Sequence, residues 1–156
     1  MELSGYAINL NPDLTQPVVL GFIHSQGHSS LGPVSATNIG FLTGDFTFVL
    51  PEWCTGTTVV FLPAIEASSG YIGLRFDATG ELLQFKQVID NESGLCYDYV
   101  TNHYTGRAGA TVVAGTGRFR GAKGTMTDNR FAGYCPEPLC AFMSPMVGTF
   151  TIELEK

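Results

Sequence analysis

Asn9 and Asn38 are the side chains of this chain best suited to hold a ligand oxygen. A buried amide in apolar surroundings must hydrogen-bond something, and a water or a substrate oxygen meets that need; the plainer role of each is to cap a turn. Pro17 opens the run PVVLGFIHS, where the carbonyl before it can face the same oxygen or simply begin a strand. Acid–base chemistry would need a carboxylate, and Glu66, Asp45, Asp77 and Glu52 supply the choices, Glu66 being the candidate acid. One of these buried in an apolar site would have a raised pKa suited to proton transfer, whereas beside Gly, Pro or Ser it reads as a solvated turn residue. Tyr6, Tyr71, Tyr97, Tyr99 and Tyr104 are donors for a pocket wall, or packing residues with the hydroxyl at a rim.

Other chemistries find less support. His24 and His28 are four residues apart on a strand end and loop, not on one helix face, and no metal site is expected. There is no Gly-x-Ser-x-Gly elbow for covalent hydrolysis. The four cysteines, Cys54, Cys96, Cys135 and Cys140, allow two disulfides in any of three pairings, or reduced half-buried thiols. Gly115, Gly117 and Gly121 are followed by neither a helical pattern nor a Lys-Ser/Thr pair, so they do not form a phosphate loop. Phe119 among them reads as a plug over the end of a sheet.

The elements that must position these residues are β-strands. With 19 glycines, 12% aromatic and 14% charged residues, the 156-residue chain suits one all-β domain, residues 1–156. A chain of this size buries roughly 68–70% of its unfolded surface, enough for a core or a lined cavity. Strand-like runs cover Tyr6–Leu10, Pro17–Ser25, Ser35–Leu50, Thr57–Ile65, Tyr71–Phe76, Leu82–Ile89, Cys96–Tyr104, Ala110–Ala114, Ala122–Thr127 and Val147–Leu154. In Ser35–Leu50, Phe46, Phe48 and Leu50 share one face. Gly27–Pro33 and Asp128–Pro145 read as loops, and Pro63 marks an edge or a strand end. Spaced strands with Gly and Pro turns imply a sandwich or a closed barrel. A net charge of −6 with 8 Lys and Arg argues against nucleic acid. No apolar run is long enough to span a membrane as a helix, and no signal peptide is visible, which leaves a cytoplasmic and a mature secreted chain both open.

The segment Gly115-Thr116-Gly117-Arg118-Phe119, continued by Ala122 and Gly124, resembles the Gly-Thr-Gly-x-Phe-x-x-Ala/Gly-x-Gly hairpin of plant allene oxide cyclases and dirigent proteins. Tyr6-Ala7-Ile8-Asn9, Pro17, Leu31-Gly32-Pro33-Val34, Asn38 and Thr43-Gly44-Asp45 follow the order and nearly the spacing of the cyclase branch. Asp90–His103 looks inserted. The resemblance implies a small antiparallel eight-stranded, calycin-like β-barrel with an apolar lumen, assembled as a homo-oligomer, dimer or trimer. It implies a cofactor-independent isomerase or cyclase of a small hydrophobic unsaturated substrate, in which Asn9, Pro17 and Asn38 hold a water or substrate oxygen. Tyr6, Phe22, Phe46, Phe48, Thr58 and Tyr71 are then the expected lining, Thr58 lying near the family's lumen cysteine. Gln16 stands at the family's serine and Ala7 at its glutamate, which removes a group aimed at developing charge. The alternative is a non-catalytic protein that binds an apolar ligand or guides a reactive intermediate, as dirigent proteins do. A third reading is a structural barrel filled by its own side chains. A carboxylate in the lumen favours the enzyme; a purely apolar lumen favours the binder.

Overall fold

The computed structural model describes residues 2–9, 18–43, 47–64, 70–134 and 143–155; Pro17, Phe46, Glu66, Cys135 and Cys140 lie outside them. Among the described residues eleven strands follow one another: β1 (Glu2–Asn9), β2 (Val18–Ser29), β3 (Gly32–Thr43), β4 (Val59–Pro63), β5 (Tyr71–Phe76), β6 (Glu81–Val88), β7 (Gly94–Asp98), β8 (His103–Arg107), β9 (Gly109–Gly115), β10 (Gly124–Tyr134) and β11 (Met143–Leu154). They form one antiparallel sheet in the order β11-β1-β2-β3-β5-β6-β9-β10-β8-β7-β4, and β11 also pairs with β10. An eleven-stranded sheet thus stands in place of the eight-stranded barrel expected. The difference comes from β4, β7 and β8, which extend the sheet beyond β10. No helix among the described residues is long and apolar enough to cross a membrane.

Alternation builds the main core. On β5, Ile72, Leu74 and Phe76 are buried while Tyr71 and Arg75 are exposed; on β6, Leu83, Phe85 and Gln87 are buried while Leu82, Gln84 and Lys86 are exposed. The turn Asp77–Gly80 joins these strands, with Gly80 at φ +69°, a conformation glycine adopts without strain. Their inner side chains pack with Val34 and Ala36 of β3, Ala110 of β9, Met126 of β10 and Phe150 of β11. Full burial of each Leu or Phe contributes about 1.5–3 kcal/mol.

Phe119 closes one end of this core. It lies in a single 3-10 turn, Gly117–Phe119, is 4% exposed, and stacks on Phe76 with ring centroids 4.7 Å apart. A Cβ at Gly115 would collide with the Phe119 carbonyl, which excludes larger residues there, while Gly117 stands at φ +55°, a backbone conformation that favours glycine. Glu81 latches the turn from β6. It accepts hydrogen bonds from the Arg118 backbone N–H (2.7 Å) and from Arg118 Nε (2.6 Å), and one from the Thr79 hydroxyl. These bonds, the backbone N–H foremost, hold the Glu81 carboxyl below its ordinary value.

A second, smaller core lies on β4 and β7, where Phe61 and a Cys54–Cys96 disulfide are buried beside Trp53, Leu50 and Val59. This core changes two sequence expectations. Residues 47–58 form a loop that bridges to β4 at Thr47 and Phe61, not the second half of a long strand. Cys96–Tyr104 splits into β7 and β8, which pair as a hairpin, because Asn102 at φ +58° turns the chain. Pro63 ends β4, the terminal strand of the sheet order, as its missing N–H requires. Asp128–Tyr134 belongs to β10 and Gly27–Ser29 to β2, where loops were expected.

Candidate functional site

Backbone register identifies where polar groups enter the interior. One row of partners runs Gly5, Ser25, Ala36, Leu74, Leu83; its last four members are each 6% exposed or less. The row two residues further along runs Ala7, Ile23, Asn38, Ile72, Phe85. Asn38 therefore stands two residues beyond Ala36, on the same face of β3, directly above the packed core.

There Asn38 Oδ1 accepts a hydrogen bond from Gln87 Nε2 at 3.2 Å. Gln87 is 9% exposed, and its backbone N–H donates to the Gly70 carbonyl. Since β5 lies between β3 and β6, the two amides span about 9.6 Å of sheet. Gln87 was not singled out from the sequence. Its alternation with Leu83 and Phe85 is the signal that places it inside.

The remaining candidates are distributed around the sheet. Asn9 pairs with Gly21, and Tyr6 with His24, on β1 and β2; Phe22 pairs with Ile8 on one side and Ile39 on the other. Tyr71 is 47% exposed, on the face of β5 opposite Ile72, and Phe48 is 74% exposed. Thr58 precedes β4 and hydrogen-bonds Asp98, whose carboxyl is held below its ordinary value chiefly by the Val100 backbone N–H. Neither Tyr71, Phe48 nor Thr58 is brought to Asn38. Pro17, Phe46 and Glu66 lie outside the described residues.

Among the residues whose burial is described, the buried polar side chains are Ser25, Gln87 and Ser93, and none of these is a carboxylate. This set donates and accepts hydrogen bonds but does not exchange protons near neutral pH. No protein-family model, no curated protein and no solved structure matches the chain.

Proposed function

We propose that this protein binds a small, mainly apolar molecule carrying a hydrogen-bonding oxygen, against the wall formed by β1, β2, β3, β5, β6, β9, β10 and β11 of the sheet. The reading of these eight strands as a wall is supported by β11, which hydrogen-bonds β1 along one edge and β10 along the other. The observation that carries the binding reading is the Asn38–Gln87 amide pair above the apolar floor of Phe85, Leu74 and Ile72. Past Asn38, β2 and β3 stay paired out to Val18 and Thr43, roughly 17 Å of further wall at strand rise. With Ala7 in the row of Asn38 and no carboxylate among the side chains whose burial is described as complete, retention or guidance of a ligand is favoured over proton transfer.

A second reading, cofactor-independent cyclisation, draws on Asn38 standing where the resembled cyclases hold a water. Shaping a substrate for ring closure needs only orientation, which can lower a barrier by several kcal/mol.

The test uses the neutral fluorophore N-phenyl-1-naphthylamine, displaced by a long-chain ketone or by the alkane of equal length. The ketone should displace it more strongly by about 2- to 12-fold, the equivalent of one hydrogen bond of about 0.5–1.5 kcal/mol. Asn38→Leu with Gln87→Leu should abolish that preference. Absence of saturable binding, or equal displacement by both compounds, would sink the binding reading. Enantiomeric excess of cyclopentenone from a freshly generated allene oxide, lost in the same double variant, would transfer the weight to cyclisation.

A further inference from the structure

One hydrogen bond, from Gln87 Nε2 to Asn38 Oδ1, joins the two amides above the core. Each side-chain amide has two N–H donors and a carbonyl with two lone pairs, so the bond leaves the Asn38 NH2 and the Gln87 carbonyl unused. Turning both amides over would leave the same complement, one NH2 and one carbonyl, on exchanged residues. Among the described residues no second side-chain hydrogen bond reaches either amide. Gln87 is only 9% exposed, yet no described side-chain nitrogen or oxygen sealed from solvent lacks a partner. The open donor and acceptor therefore stay within reach of an incoming molecule.

Amide geometry decides what such a pair selects. A ketone or an ester offers an acceptor alone and meets only the Asn38 NH2. An ordinary secondary amide is trans, so its N–H and C=O point in opposite directions. A lactam or a primary carboxamide shows both on one edge: its C=O accepts from Asn38 while its N–H donates to the Gln87 carbonyl. A carboxylic acid is ionised near neutral pH and brings acceptors only.

The wall beside the pair is bare backbone. Gly40 stands two residues beyond Asn38, on the same face of β3, and pairs with Gly21 of β2. One step past the Ile39–Tyr71 pair the row continues from Gly40 to Gly70, whose carbonyl accepts from the Gln87 backbone N–H. Glycine in a strand permits a ligand to approach the backbone closely, and here it does so on three neighbouring strands.

We propose that the ligand is a neutral lactam or primary carboxamide on a flat ring, its amide edge read by Asn38 and Gln87 and its ring lying over Gly21, Gly40 and Gly70. This ligand class rests on the binding reading of the pair and narrows it to molecules that donate as well as accept.

2-Quinolinone and coumarin test it, flat bicycles of one shape in which an ester oxygen replaces the lactam N–H. In equilibrium dialysis against the intact protein, 2-quinolinone should bind at least about fivefold tighter than coumarin. Gln87→Leu should remove that preference by weakening 2-quinolinone, and Gly40→Val should weaken both compounds together, each variant keeping the strand signature in far-UV circular dichroism. Equal binding of the two bicycles by the unaltered protein, or a preference that survives Gln87→Leu, overturns the lactam assignment. Unchanged affinities in Gly40→Val overturn the placement of the ring. If the long-chain ketone still outcompetes the alkane in those cases, the broader binding reading stands without this ligand class; if neither ketone nor bicycle binds, both fall.

Discussion

Replacing Cys54 and Cys96 together by alanine tests how the second core is held. That core buries Phe61 and the two half-cystines, with Trp53, Leu50 and Val59 only partly covered, too little apolar surface to keep β4 and its preceding loop docked unaided. The cross-link joins residues separated by 42 positions, and the loop it closes includes the β5–β6 hairpin of the main core. Constraint of the unfolded chain by a loop of that length corresponds to about 13 cal/mol/K, or about 4 kcal/mol at 25 °C. For a chain of this size that is a fall in Tm of roughly 8–16 °C. Urea unfolding followed by Trp53 fluorescence and by far-UV circular dichroism reads both cores at once. Because the cross-linked loop spans both, the two transitions should move together to lower urea in the double variant. A loss below about 1 kcal/mol by both probes would refute the loop-closure argument. A shift seen by Trp53 alone would refute the coupling of the two cores.

Two further perturbations address the plugged end of the main core. Phe119→Ala removes a 4%-exposed ring stacked on Phe76 and should cost about 3–5 kcal/mol in urea unfolding; a cost near that of a surface substitution would mean the ring is not part of the core. Glu81 has a folded pKa lowered from its ordinary value of 4.5 by its bonds to Arg118 and Thr79. Its contribution is therefore fully present above about pH 4.5 and is lost as pH falls through the lowered folded pKa. The Tm difference between wild type and Glu81→Gln should accordingly shrink on acidification, and parallel Tm curves across that range would exclude the latch as a source of pH dependence.

Several features were legible in the chain because they depend on local spacing. The strand-like runs Tyr71–Phe76 and Leu82–Ile89, joined by Asp77-Ala78-Thr79-Gly80, describe a hairpin, and β5 and β6 are that hairpin. Phe119 among Gly115, Gly117 and Gly121 announced a plug, and the ring is buried there, with Gly115 leaving room for the Phe119 backbone. Asn38 stood out as an amide in need of a hydrogen-bond partner. Its partner Gln87, 49 residues away, did not, because local pattern says which face a side chain occupies and not what meets it across two strands.

Residue order thus determined the β-rich class, the inner faces of β5 and β6 and the glycine-framed plug, all of which follow from the two-residue strand period and from steric limits at single positions. Tertiary structure alone decided that Cys54 pairs with Cys96, that Glu81 latches Arg118 from 37 residues away, that Cys96–Tyr104 folds back on itself, and that Trp53, Arg107 and Arg130 share one groove. Each of these joins segments whose separation along the chain carries no information about distance, until long-range strand pairing sets which rows stand side by side.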